Sequence, residues 1–176
     1  MRLGGTRWRD RNGNRFVSEA HKDHRLVSTN SRSEEAFNEL CGYTLTHTDP
    51  SFIHQHVVDA FAAQDADEQT KPIKLTFALI GLYLYVEKQF SGKEVQRAHQ
   101  LLARRRRSWP RFPLPRERGS VTAEEVIGAP AGPKRDKAIH DWCVSVWDAF
   151  HDSQQMVKEL LDECEFRTAR SEERSR

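Results

Sequence analysis

Long hydrophobic runs are scarce in this chain. The longest, Leu75 to Val86, stops short of the ~20 residues that a membrane helix needs, and Lys74 and Glu87 bracket it. It reads as a buried core helix, and no membrane partner is expected. No apolar stretch follows the basic start MRLGGTRWRDRNGNR, so no secretory signal is expected either. Cysteine is sparse. Cys41, Cys143 and Cys164 lie far apart and form no CxxC or Cys/His knuckle. An odd, scattered set fits a reducing cytoplasm and small buried side chains rather than disulfides. GxSxG and Gly-rich phosphate loops are missing, and Cys41 with His47 makes no recognisable nucleophile pair.

Positive charge is missing from one long segment. Residues 33–70 hold eight acids and no Lys or Arg, a net of −8, whereas residues 99–118 hold seven Arg against one Glu, a net of +6. Residues 1–32 carry +5. The total of only +2 conceals this segregation, and local potential is what attracts partners.

What is present is helical periodicity. Residues 1–32 show no sustained period and read as a disordered basic arm. Ser33 followed by Glu34 and Glu35 reads as a helix cap with acids in the first turn. Phe37, Leu40, Cys41 and Leu45 follow at helical spacing. A second helix is expected from about Ser51 to Gln64, with Ile53, Val57, Ala60 and Phe61 as its apolar face. The third, Ile73 to Phe90, is apolar almost all round and belongs in the middle of a bundle, with Gly81 admitting a close neighbour. Ser91 and Glu94 have capping-box spacing, and Val95, Ala98, Leu101 and Leu102 mark the core face of a fourth helix.

Residues 108–120 contain three prolines and form an extended connector, pinned by Trp109, Phe112 and Leu114. Thr122 caps a short turn, AEEVIGA. The last element, about Pro133 to Glu165, would span roughly 45 Å unbroken, so its end projects or pairs with a second chain. The expected fold is all-α, a single bundle of about five helices over residues 33–166 with a Pro-rich connector and a long C-terminal helix. Residues 167–176 read as a frayed tail.

The strings YTLTHTDPSFIHQHVVDAFAAQ, TKPIKLTFALIGLYLYVEKQF, WPRFPLP and IHDWCVSVWDAF stand in that order between Phe37 and Leu161. They resemble an uncharacterised bacterial family classed as a domain of unknown function. The resemblance rests on Tyr43, His47, Pro50, His54, His56, Asp59, Gln64, Trp109, Pro110, Trp142 and Trp147. It implies a cytosolic, helical bacterial protein and no particular chemistry. Relatives often begin with a cysteine knuckle, whereas this chain has only Cys41-Gly42.

Two features carry candidate chemistry. His47, His54, His56 and Asp59 lie within thirteen residues. His56 and Asp59, three apart, share a helix face, whereas His54 points ~160° away from His56. His140 and His151, about three turns apart, stand roughly 16 Å from each other on a helix and cannot share an ion. A zinc-type divalent site would therefore use His56, Asp59 and His140, or alternatively His47, His54 and His151. Such a site would activate water for hydrolysis or transfer. Set against this, histidine beside an apolar face is usually a hydrogen-bonded core residue, and Asp59 is a natural partner for His56. His99 lies in polar surroundings and receives no role.

The second feature is the run Arg104, Arg105, Arg106 and Arg107, followed by Trp109, Arg111, Arg116 and Arg118. Nucleic-acid phosphates are one partner for it, and the helix dipole or the acidic segment is another. The default expectation is a binding or interaction module, with the metal enzyme and the nucleic-acid binder as alternatives.

Overall fold

The computed structural model describes residues 23–46 and 53–163. All regular structure among them is helical: α1 Asp23–Thr46, α2 His54–Gln64, α3 Pro72–Val86, α4 Gly92–Arg105, α5 Ala123–Gly128, α6 Pro133–Ala149 and α7 Gln154–Glu163. No helix among the described residues is long and apolar enough to cross a membrane. The basic N-terminal residues 1–22, His47 and the tail 167–176 lie outside the described residues.

Local chemistry explains most boundaries. Pro72 opens α3, where a missing N–H costs nothing. Ser91 and Glu94 form the capping box of α4, and Thr122 and Glu125 form a second one on α5. The first helix starts ten residues ahead of Ser33, so Ser33 is an interior position of α1 rather than its cap. Residues 23–32 have too few apolar side chains to show the 3.6-residue period from sequence alone.

α2 lies at the centre, against α1, α3, α4 and α6. α3 also meets α4, α6 and α7, and it is buried along most of its length. Two residues expected inside are outside: Leu45 is 61% exposed and Leu101 is 42% exposed. Thr44 takes the inward position beside Leu45, closing its hydroxyl on the Leu40 carbonyl at 2.9 Å. On α4 the buried row is Val95, Ala98 and Leu102, a narrower stripe than the sequence suggests.

Among the described residues there are seven α-helices rather than the expected five or so. AEEVIGA closes a true helix, and the long last element breaks. The break falls at Phe150, which is buried, with φ −92° and ψ 27°. A 3₁₀ turn, His151–Ser153, then redirects the chain, and α7 packs back on α3. Folding back buries Val157, Leu160 and Leu161, each worth roughly 1.5–3 kcal/mol. A straight continuation would forfeit that burial to save a few helical hydrogen bonds of ~1 kcal/mol each. Lys158 reinforces the return with an ion pair to Glu87 at 3.0 Å, and Glu87 also accepts the Trp147 indole N–H at 3.1 Å. The single unbroken 45 Å rod does not form.

Gly81 does admit a close neighbour, and that neighbour is Asp59: a methyl group at Gly81 would fall on the Asp59 carboxyl. Gly81→Ala is therefore expected to destabilise the chain by about 1–3 kcal/mol, the usual cost of overpacking. In an Asp59→Ala background the same change is expected to cost far less, because the obstacle is gone and Ala favours helix. Urea unfolding of the double-mutant cycle measures this. Equal penalties in both backgrounds would refute the contact.

Candidate functional site

Three helices bring polar groups to the middle of the bundle. On α2 the inward face reads His56, Asp59 and Ala63, at spacings of three and four. Both polar members are buried, Asp59 to 3% exposure. Gln55, one turn before Asp59, donates from Nε2 to its Oδ1 at 3.0 Å. Asp59 Oδ2 receives no hydrogen bond from any described residue and lies against Gly81 of α3. Cys143 of α6 is buried close by and donates its thiol to the His56 carbonyl at 3.7 Å.

Aromatic contacts complete the cluster. The His56 imidazole stacks on the Tyr85 ring, with centroids 3.7 Å apart and planes 16° apart. The Tyr85 hydroxyl meets His140 Nδ1 at 3.1 Å, and the two rings stand edge to face. His56, Asp59 and His140 thus occupy one neighbourhood, with Tyr85 touching both imidazoles. Among the described residues no group of three or more His, Cys, Asp or Glu is arranged to hold a metal ion. Of the other set, His54 Nδ1 engages Thr44 Oγ1 of α1 at 2.9 Å. His151 faces Asp152 at 3.2 Å in the exposed 3₁₀ turn. These two belong to different regions, and His47 lies outside the described residues.

Burial sets the protonation states here. Loss of water pushes the Asp59 carboxyl well above its ordinary 3.8, and the Gln55 hydrogen bond only partly opposes it. Burial likewise drives the Cys143 thiol upward, with the Asp59 charge adding to it, so this cysteine is an unreactive thiol. His54 is lowered by burial. His99, read from the sequence as lying in polar surroundings, stacks on Phe77 at 4.9 Å, and burial lowers it to about 4.

The arginine run divides. Arg104, Arg105 and Arg107 are exposed at the end of α4, while Arg106 is half-buried and donates to the Ser108 carbonyl at 2.8 Å. Trp109 is half-buried, edge-on to Phe77 at 4.8 Å, so its ring is committed to the bundle. Farther along, the connector is fastened by Arg118 of the run and by Gln64, to which the sequence assigns no site role. Gln64 donates from Nε2 to the carbonyls of Val121 at 2.8 Å and Arg118 at 3.2 Å, and its Oε1 accepts the Trp142 indole N–H at 2.9 Å. Arg118 returns a hydrogen bond from Nη1 to the Gln64 carbonyl at 3.1 Å. Its Nε is shut off from solvent and has no acceptor.

A cleft of about 370 Å³ opens at this junction, lined among others by Phe61, Gln64, Asp65, Arg116, Arg118 and Glu124. A second, of about 340 Å³, lies along the same connector between Asp67, Arg111 and Phe112. The signal for the first cleft was in the sequence. Gln64 and Trp142 both belong to the recurring strings, and a glutamine ending an apolar helix beside a Pro-rich strap is a natural fastener.

The Asp59 proton has a measurable consequence. A carboxyl raised in the folded state is stabilising only below its unfolded value; that contribution is lost as pH rises from about 3.8 toward the folded value. Asp59→Asn, which keeps the shape and the acceptor for Gln55, removes this loss. The stability of Asp59→Asn minus that of the native chain is expected to increase as pH rises above about 3.8 and to level off once the folded-state value is passed, with shared titrations such as that of His99 cancelling in the difference. A flat difference curve would refute the burial argument.

Residues 25–151 match the family of unknown function DUF5946, and the chain belongs to that family. The match runs from the start of α1 to the turn after α6 and leaves α7 beyond it. No curated protein and no solved structure matches the chain.

Proposed function

We propose that this DUF5946 member is a ligand-binding module whose ligand enters the arginine-lined cleft between α2, α5 and the connector and carries negative charge. The observation that supports this reading is Arg118. Its guanidinium is anchored to the Gln64 carbonyl on one side, while its Nε–H is withdrawn from water and unanswered beside a cleft of about 370 Å³. A buried donor on a cation without an acceptor costs free energy, and a bound oxyanion relieves it. Arg116 adds a second, exposed cation to the same cleft. The exposed Arg104, Arg105 and Arg107 raise the local potential and would steer an anion toward the connector. Neither of these two clefts is lined by His56, Asp59 or His140.

Calorimetry with acetate, phosphate and citrate tests this. Saturable binding is expected, weakened roughly ten- to a hundredfold by Arg118→Gln, the loss of one charge-assisted contact, and less by Arg116→Gln. Thermal unfolding of the variants checks that the fold survives. Absent binding, or affinity unchanged in Arg118→Gln, would overturn the reading. Competition by duplex DNA or RNA with a steep salt dependence would transfer it to nucleic acid, with Arg104 to Arg107 and the flanking Trp109 segment as the surface.

A second reading is a zinc-type hydrolase or transferase with His56, Asp59 and His140 as ligands, or His47, His54 and His151 in the alternative set. One observation favours it: Asp59 Oδ2 is buried with no donor, a condition that a cation relieves. Protein purified without a histidine tag is expected, on this reading, to retain stoichiometric metal and to lose it in Asp59→Asn. Metal-free native protein that shows no thermal shift with zinc or manganese would dismiss it.

A further inference from the structure

The cleft lined by Arg118 is also lined by a carboxylate. Asp65 follows α2 directly, lines the same cleft and is half-buried. Among the described residues no hydrogen bond reaches its carboxylate, and no ion pair joins it to Arg118 or Arg116. The described ion pairs lie elsewhere, at Lys137–Asp141, His151–Asp152 and Lys158–Glu87. Opposite charges therefore face one cavity without closing on each other. Phe61, stacked on Phe37 at 4.0 Å, contributes an apolar wall to that cavity.

We propose that the ligand is a small zwitterion, its carboxylate on Arg118 and Arg116 and its ammonium on Asp65, with its carbon chain against Phe61. This inference deepens the anion-binding reading and rests on it. A purely anionic ligand would satisfy Arg118 but bring negative charge toward Asp65 and the exposed Glu124 of the same cleft. A purely cationic ligand would leave Arg118 Nε unanswered. A molecule with both charges satisfies both groups at once and is discriminated by both. Burial already raises the Asp65 carboxyl, and the neighbouring charges of Glu34 and Asp67 oppose those of Lys74 and Arg118.

Calorimetry with the homologous ω-amino acids, from glycine to aminohexanoate, tests this against the carboxylates and the amines of equal length. At one chain length at least, the amino acid is expected to bind tenfold or more tightly than its carboxylate, and the amine alone not measurably. In Asp65→Asn, checked for native thermal unfolding, the amino acid is expected to fall to the level of its carboxylate, while carboxylate binding holds or improves. If carboxylates bind as well as every amino acid, the zwitterion inference fails and the anion reading stands. If neither series binds the native chain, both fail. The native-chain series alone decides the matter even where the variant unfolds.

Discussion

A carboxyl group with almost no access to water governs the centre of this bundle. Asp59 projects from the central helix into the contact with α3, where only a glycine leaves room for it. Such a group persists only if it gives up its charge or finds partners. Gln55 supplies one hydrogen bond, and loss of water pushes the carboxyl well above its ordinary 3.8. Around it, His56, Tyr85, His140 and Cys143 form a polar stratum in an otherwise aliphatic and aromatic core. Shifting α2 by one residue would drive Asp59 into a side chain other than glycine. The Asp59–Gly81 pair therefore fixes the register of α2 on α3 more firmly than the interchangeable Leu and Ala contacts nearby.

The second constraint is Gln64, and it explains why a Pro-rich strap can lie on a helical bundle without a sheet or helix of its own. Connector backbone groups need partners in place of a ladder. Gln64 accepts a core indole N–H while satisfying two connector carbonyls. Ser145 of α6 receives the N–H groups of Ser120 and Val121 at 2.7 and 3.1 Å. Gly119, at φ 109°, makes the left-handed bend between the Gln64 anchor and the Ser145 anchor, where a side chain would meet Ser145 and Val146. The cleft is a by-product of this fastening, because the strap is tied down at two points and stands away from α2 beside them.

Helical identity was legible wherever apolar residues repeat: α2 to α4 form where expected, with α3 ending four residues early at Val86, α6 starts at the expected Pro133, and Ser91 and Thr122 cap as their spacing implies. The same period misled across Phe150, since apolar residues at threes and fours continue on both sides of a turn that only tertiary burial requires. It also placed Leu45 and Leu101 inside, because amphipathic spacing fixes a face but not its width. In the site, the shared face of His56 and Asp59 was readable from their separation of three. The intervening Tyr85 was not, because it reaches them from α3, and sequence spacing carries no information on which ring stacks between two helices. The meeting of Arg118, a member of the arginine run, with Asp65 was hidden for a similar reason, the two being fifty-three positions apart and joined only by the path of the strap.

The segregation of charge along the chain acquires a spatial meaning from that path. The acid-only segment ends in Asp65, Asp67 and Glu68, and the arginine-rich segment contributes Arg111, Arg116 and Arg118. Both clefts lie where the two segments face each other. Such charges would be expected to collapse into salt bridges, yet none joins them among the described residues. An exposed pair gains only about 0–1 kcal/mol and must immobilise two side chains to do so. Collapse is therefore weakly driven, and the Gln64 and Ser145 anchors hold the strap backbone against it. A ligand that brings both charges needs no such movement. Of the side chains such a ligand would meet, Arg118 is already held by its hydrogen bond to Gln64, which lowers the cost of ordering it.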